Sequence, residues 1–357
     1  MKNLKILSVI LATALILTLT LTSCDGGGGG GGGGSNGKDS GKDSGTTGGS
    51  GGTMTWTAVK NSPFGSGEIT AIAFGNGKFV AVSKNGKIAT SADGVTWKGK
   101  NYDGYEFTAI AFGNGMFVVG GEDDGLIAYS SNGEDWDIAD SGFSEYGGIY
   151  KMAYGGGKFV AWGVDSGYNG KIATSTDGKN WTAVLQANSL FAHNDTVWAI
   201  TYGKDKFVAV GDTGINASIW TSTNGTSWTK VSDSTLAADG KNTYIQAIAW
   251  GNNKFVVDLY PHKTATSPDG TTWTATSFTL FDFADGENAC FIKAIAYGSN
   301  KFVAGGSDNK IAYSTDGKSW STVSVGQIFI ASHINAIAWG NNTFVAGSED
   351  GKMAYSK

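Results

Sequence analysis

Arginine is absent from this sequence of 357 residues, and all 26 of its basic residues are lysines. The planar guanidinium fork that binds carboxylates and phosphates bidentately is therefore missing, which excludes chemistry that depends on it. Charged residues make up only 16% of the chain, the net charge is −5, and no lysine-rich block occurs. This balance argues against a nucleic-acid partner and favours a binding or scaffolding role.

Proline and cysteine are also scarce, with 3 and 2 residues, whereas there are 56 glycines and 12 tryptophans. A chain rich in glycine and poor in proline favours many short strands joined by tight turns. With 40% hydrophobic residues it has ample material for a packed core. Two cysteines do not make a disulfide framework.

The first 23 residues have the pattern of an export signal. Lys2 and Lys5 precede an apolar run over 6–21, which ends in Leu21-Thr22-Ser23-Cys24. This tetrapeptide resembles the lipobox of bacterial lipoproteins, which implies a diacylglyceryl thioether and an N-acyl chain on Cys24. Several acyl chains would anchor the protein stably to a membrane. The alternative is an ordinary secretory signal followed by an incidental unpaired cysteine.

Residues 24–53 predict a flexible tether behind that lipidated cysteine. Nine glycines fill 26–34, and a Ser/Gly/Asp/Lys-rich stretch follows, so nothing here forms a core. A coil of this length has an r.m.s. reach of roughly 30 Å. We expect the protein in the bacterial cell envelope, at the outer membrane or cell surface. Asp25 resembles an inner-membrane retention signal, which keeps that membrane as the alternative.

A repeat begins at residue 54. The segment 71–80 recurs with its Phe-Val pair starting at 79, 117, 159, 207, 255, 302 and 344. A second half-unit ends in a tryptophan, at 97, 136, 181, 228, 273 and 320. Each unit holds four short apolar runs, which we call strands a to d, separated by Gly, Asn and Asp turns. This pattern predicts an all-β protein, a β-propeller of four-stranded antiparallel blades.

The seventh unit, 336–357, lacks its tryptophan strand, and the missing strand lies at the other end of the repeat. Residues 54–59, Met-Thr-Trp-Thr-Ala-Val, match the Trp-Thr-Ala-Val of 181–184. An N-terminal strand that completes the last blade would close the ring and leave no open edge. We therefore predict a seven-bladed β-propeller over residues 54–357.

Six segments between strands c and d resemble the Asp-box, or BNR, repeat of sialidase-like propellers: 91–97, 130–136, 175–181, 222–228, 267–273 and 314–320. We expect Asp or Asn to cap the turn, Gly to take a positive φ, and Trp to pack between blades. Because Asn replaces Asp at 132 and 224, we interpret Asp93, Asp177, Asp269 and Asp316 as turn caps rather than catalytic or calcium-binding residues.

Sialidase chemistry does not follow from this resemblance. The family implies three arginines on the substrate carboxylate, a Tyr/Glu nucleophile pair and an Asp acid, and this chain has no arginine. The likeness is therefore one of fold, which does not carry function. Other Asp-box proteins, a photosystem assembly factor and sorting receptors, bind proteins, which points to recognition.

The candidate ligand surface is the face that the d–a and b–c connections share. The residue one before the Ala of strand a varies freely and should lie near the channel mouth. With loop aromatics beside carboxylates, typical of sugar or peptide contact, the candidate ligand-binding residues are Tyr150, Trp198, Gln246, Lys293, Asn335, Tyr102, Tyr105, Tyr146 and Tyr260. The alternatives are a merely solvated ring and loop aromatics tucked back onto the blades.

The same face carries further polar residues. The b–c turns supply an acidic ring that either binds a cation or serves the turns alone: Glu122, Asp165, Asp212, Asp258, Asp308 and Asp350. His193, His262 and His333 lie on connections of different blades without ligand spacing, so no metal and no cofactor is expected. Cys290, once Cys24 is lipidated, is left as a buried or half-buried thiol.

These observations predict a membrane-anchored, monomeric lipoprotein whose propeller binds a protein or glycan without catalysis. One alternative is a carbohydrate-active hydrolase or lyase that uses the acidic ring. Another is an assembly or scaffold factor that holds other envelope proteins.

Overall fold

The computed structural model describes residues 54–357 except 123, 140, 142–146, 166, 185–190, 192–194, 215, 233–242, 262, 278–290, 308 and 331. The described residues belong to the unit Ser50–Lys357 and form 28 strands and no helix. None of them belongs to a helix that could cross a membrane. The predicted signal peptide, Cys24 and the tether lie outside the described residues.

Every regular element is a strand of two to nine residues. The strands of the first half are β1 (Thr57–Ala58), β2 (Ile69–Gly75), β3 (Lys78–Ser83), β4 (Lys87–Ser91), β5 (Lys98–Asn101), β6 (Phe107–Gly113), β7 (Met116–Gly121), β8 (Ile127–Ser130), β9 (Asp137–Ala139), β10 (Gly148–Gly155), β11 (Lys158–Val164), β12 (Gly170–Ser175), β13 (Thr182–Ala183) and β14 (Asp195–Gly203). Those of the second half are β15 (Lys206–Thr213), β16 (Ala217–Ser222), β17 (Thr229–Lys230), β18 (Ile248–Gly251), β19 (Lys254–Leu259), β20 (Lys263–Ser267), β21 (Thr274–Ser277), β22 (Ile292–Gly298), β23 (Lys301–Gly306), β24 (Ile311–Ser314), β25 (Ser321–Val323), β26 (Ile334–Gly340), β27 (Thr343–Ser348) and β28 (Met353–Ser356).

The strands form seven antiparallel sheets of four, which confirms the predicted propeller. Blade 1 is β2–β5, the next five blades follow in sequence order, and blade 7 combines β26, β27 and β28 with β1. Thr57 pairs with Tyr355 and Ala58 with Ala354, so the N-terminal strand completes the last blade. The first strands of successive blades contact one another in a closed circuit, β26 with β2 included.

An aromatic residue followed by glycine ends each first strand, and this pair joins one blade to the next. The ring of each blade lies on the glycine of the preceding blade, so that a β-carbon added to Gly75 would come within 2.1 Å of the Phe112 ring. Only glycine leaves room for such an approach. The other six contacts are Gly113–Tyr154, Gly155–Tyr202, Gly203–Trp250, Gly251–Tyr297, Gly298–Trp339 and, across the closure, Gly340–Phe74.

The c–d turns have the predicted capped geometry. Asp177 Oδ1 accepts the backbone N–H groups of Lys179 and Asn180, both at 2.9 Å, and these bonds hold the pKa of Asp177 well below its usual range. Gly178 has φ +77°, and the indole N–H of Trp181 donates to its carbonyl at 3.0 Å. The same acceptor role is filled at the other turns by Asp93, Asn132, Asn224, Asp269 and Asp316.

Removal of β1 tests the closure. Trp56 and Val59 are buried, and their loss would expose the outer edge of β28 together with its packed face. A chain that starts at residue 61 should melt about 10 °C below one that starts at residue 50, because burial of one large aromatic and one valine contributes several kcal/mol. Differential scanning calorimetry measures the shift, and equal melting temperatures would show that β1 does not close the ring.

Candidate functional site

The freely varied position of the first strands is a β-bulge. In six blades the register shifts by one residue, and the inserted residues are Thr70, Thr108, Tyr150, Trp198, Lys293 and Asn335. A bulge residue stands outside the ladder, so pairing does not restrict its side chain, and bulges commonly re-aim a side chain at a functional site. The bulges therefore form a ring of unrestricted positions on the face of the d–a connections.

The fifth blade replaces the bulge with a buried carboxylate. Its first strand starts only at Ile248, and Asp258 Oδ1 accepts the backbone N–H groups of Gln246 and Ala247 at 2.8 and 2.7 Å. Asp258 lies inside β19 and is buried, and burial outweighs the two hydrogen bonds and raises its pKa to about 7. Gln246 itself is half-buried.

Trp198 is the exposed aromatic residue of the bulge ring. Its side chain is 40% exposed, and its indole N–H donates to Asp212 Oδ2 at 2.5 Å. Asp212 is buried in β15, and burial raises its pKa although the bond from Trp198 acts in the opposite direction. The carboxylate therefore holds an apolar ring in one orientation at the surface.

Tyr150 and Tyr168 extend this aromatic surface on blade 3. Tyr150 is half-buried, with its ring 6.1 Å from that of Trp162, and burial together with the charge of Glu122 raises its pKa. Tyr168 lies on the β11–β12 turn and is 71% exposed. We refer to Tyr150, Tyr168 and Trp198 as the aromatic surface.

Charged residues gather on the same face. Lys84 Nζ lies 3.3 Å from Glu122 and 4.0 Å from Glu106, and although burial acts against them these carboxylates raise its pKa. Asn335 Nδ2 donates to Glu68 Oε1 at 3.0 Å, which connects the bulge of blade 7 to the start of blade 1. Lys293 is half-buried, and burial lowers its pKa against the attraction of Glu349 and Glu68.

The remaining predicted aromatic residues pack against neighbouring blades. The Tyr102 hydroxyl donates to the Glu134 carbonyl at 3.0 Å, and Tyr105 stacks on Phe107 with 6.1 Å between the ring centroids. The Tyr260 ring stacks on Phe291 at 4.6 Å. These half-buried rings are separate from the aromatic surface, and Tyr146 lies outside the described residues.

The prediction that the b–c turns supply an acidic ring is wrong for two of its six residues. Asp212 and Asp258 lie within strands β15 and β19, where they bind an indole and two backbone amides. In the turns, Asp165 accepts backbone N–H groups and pairs with Lys171 at 3.1 Å, and Asp350 pairs with Lys352 at 2.7 Å. Asp308 lies outside the described residues.

The described part of the chain contains no group of three His, Cys, Asp or Glu side chains placed to share a metal ion. His333 is half-buried, and its Nδ1 has no hydrogen-bond partner among the described residues. His193, His262 and Cys290 lie outside the described residues. The geometry on this face is thus one of exposed rings and charged side chains.

Comparison with known proteins supports the fold and leaves the family open. No family model and no curated protein matches the sequence. YCF48 bound to D1 peptide is similar in structure, with a TM-score of 0.64, 18% identity, and 84% of this chain and 96% of that chain covered. An inactive virginiamycin B lyase from Staphylococcus aureus with Quinupristin has a TM-score of 0.66 and 13% identity, with 85% of this chain and 99% of that chain covered. The WD40 propeller domain of Doa1 has a TM-score of 0.60 and 15% identity, with 86% of this chain and 97% of that chain covered.

The fold therefore defines the class of this protein as a seven-bladed β-propeller. Its structural neighbours include one protein bound to a peptide and another with Quinupristin, so the fold alone does not identify a ligand. That choice depends on the side chains of the bulge ring.

The buried Asp258 predicts an unusual pH dependence of stability. The folded carboxyl binds its proton more tightly than the unfolded one, whose pKa is 3.8, so its contribution to stability falls as pH rises from about 4 to 7 and is constant above. Asp258→Asn keeps the acceptor oxygen and removes the charge. The difference in unfolding free energy between variant and wild type should grow by about 2–4 kcal/mol from pH 4.5 to 7.5, measured by urea denaturation. Parallel pH profiles would contradict the assignment.

Proposed function

We propose that this propeller is a non-catalytic recognition module that binds a protein or peptide segment at the mouth of its axial channel. The observation that carries the proposal is Trp198, an aromatic ring exposed at a bulge and held by a buried carboxylate. Buried aromatic anchors dominate protein interfaces, and an anchor that is already fixed loses little conformational entropy on binding.

The surroundings of Trp198 support the same proposal. Tyr150 and Tyr168 add aromatic area on the neighbouring blade, and Lys84 with its carboxylates provides a polar border. Apolar rings within a charged rim are the usual arrangement of a protein-binding patch. The peptide in the YCF48 structure is an example of such a ligand on a similar fold.

The absence of catalysis is part of this proposal. The chain lacks arginine, and His333, the described histidine, has no carboxylate bonded to its Nδ1. A virginiamycin B lyase shares the fold, so the fold itself does not exclude an enzyme. The bulge ring displays aromatic, amide and lysine side chains that suit binding.

Selection of peptides on the immobilised domain tests this function. We expect a library of random dodecapeptides to yield sequences with apolar residues, and Trp198→Ala to weaken their binding by at least about tenfold, because the anchor is lost. Fluorescence anisotropy with the resynthesised peptides measures the affinity.

Ile138→Ala is the matched control, since Ile138 is 64% exposed on the outer strand β9, away from the mouth. Its affinity should equal that of the wild type. Peptides that bind Trp198→Ala as well as the wild type would contradict the site. If the domain bound glycans of an array and no peptide, the ligand would be a sugar instead of a peptide.

We further propose that Cys24 carries lipid and that the protein is anchored in the bacterial cell envelope. The support is the Leu21-Thr22-Ser23-Cys24 sequence after an apolar run, with a glycine-rich stretch between it and the first strand. Two or more acyl chains suffice for stable anchoring. We also propose that the chain is related to bacterial lipoproteins with Asp-box repeats.

Metabolic labelling tests the anchor. In a bacterial host given alkyne-palmitate, the wild type should carry label and sediment with membranes, whereas Cys24→Ser should lose both because no thiol remains to be modified. The variant Ser23→Ala, which keeps a small residue before the cysteine, should label like the wild type. Label retained by Cys24→Ser would overturn the proposal.

A further inference from the structure

Two lysines from opposite sides of the ring lie at the channel mouth. Lys293 is the bulge residue of β22 in blade 6, and Lys151 follows the bulge of β10 in blade 3. Blades 3 and 6 are three places apart in a ring of seven. Burial lowers the pKa of Lys151, and the positive charge of Lys293 lowers it further, so the two ammonium groups lie within electrostatic reach of each other.

Lys151 breaks a repeat position that is otherwise apolar. At the equivalent site the other six first strands hold alanine, namely Ala71, Ala109, Ala199, Ala247, Ala294 and Ala336. A lysine at this position is therefore not required by the fold. Lys151 is half-buried, and burial lowers the pKa of its ammonium group.

Neither lysine has a close counter-ion in the part of the chain that the structure describes. Among the described residues no carboxylate lies within 4.0 Å of either ammonium, and neither makes a hydrogen bond. Glu68 attracts both, and Glu349 attracts Lys293, from longer range. Lys84 on the same face is fully paired by comparison. Both lysines are half-buried, and two neighbouring, partly desolvated ammonium groups without a close carboxylate favour an incoming anion.

We propose that Lys151 and Lys293 form a carboxylate-binding site for the segment recognised at the aromatic surface. This inference rests on the proposed function and adds the chemistry of the ligand: an acidic side chain or a free C-terminus enters the channel mouth while apolar residues cover Trp198. The carboxylates Glu68 and Glu349 offset part of the positive charge of the two ammonium groups. The site therefore suits a ligand group with one negative charge better than a doubly charged phosphate. Tyr150 precedes Lys151 in the chain, so both surfaces include a residue from the start of β10.

Titration with acetate tests the site without any peptide. In protein labelled with carbon-13 at lysine, acetate that replaces chloride at constant ionic strength should shift the Lys151 and Lys293 signals. Lys151→Ala and Lys293→Thr introduce residues that other blades carry at these positions, so the fold should be kept, and each should weaken acetate binding by about tenfold. Glu68→Gln should strengthen it severalfold, because an opposing charge is removed.

Lys78→Gln is the control and should bind acetate like the wild type, since Lys78 starts β3 at the opposite end of blade 1 from its bulge and pairs with Glu134 at 3.2 Å. Unshifted lysine signals, a Glu68→Gln variant that binds more weakly, or inorganic phosphate that binds more tightly than acetate would each overturn the proposal. Circular dichroism verifies that every variant is folded.

The source of the carboxylate follows from the selected peptides. Amidation of the C-terminus or Glu→Gln exchange within the peptide should cost about tenfold in affinity, and whichever does so identifies the group. If neither matters while Trp198→Ala still abolishes binding, the carboxylate site is wrong and the proposed function stands. If acetate binds but no peptide does, the proposed function fails and the anion site remains.

Discussion

The contact of an aromatic ring with the glycine of the preceding blade is the constraint on which this propeller depends. The contact repeats seven times and returns to its start where Phe74 lies on Gly340. Each blade is thereby fixed at the same close distance from its neighbour at the channel wall. Because the series closes on itself, the blades bury both faces, and β1 has only to complete the outer edge of blade 7.

A ring built in this way separates structure from variation. The face of the c–d turns is uniform, since each of the six Asp-box turns has an Asp or Asn cap and a glycine with positive φ. In five of them the indole N–H donates back to the carbonyl of that glycine. On the opposite face six of the seven first strands start with a bulge, whose side chain is free of the ladder. Thr70 and Thr108 use that freedom to donate to carbonyls of the next blade, whereas Trp198 is turned to solvent.

The repeat made the fold predictable, and its irregularities limited the prediction of the site. Periodicity predicted seven blades, the closure by residues 54–59 and the turn caps, and the varied position before alanine identified the bulge residues. Lys151 was missed because that position was defined by its alanine, and unit three has lysine there. Asp258 was assigned to a turn because spacing alone does not show where a strand ends. Tyr102 and Tyr105 look like loop residues in sequence, yet blade 2 covers them.

A buried carboxyl group, Asp258, and a half-buried lysine, Lys151, break the repeat, and their surroundings give them different meanings. Asp258 stands where other second strands hold valine, tryptophan or glycine. Two backbone N–H groups donate to its carboxyl oxygen, and these bonds replace part of the strand ladder. Lys151 stands where other first strands hold alanine, and no described residue satisfies its ammonium. A satisfied group stabilises the local backbone, whereas a half-buried ammonium without a close carboxylate stays available to an anionic ligand. By this contrast Asp258 serves the fold, whereas Lys151 fits the proposed anion site at the channel mouth.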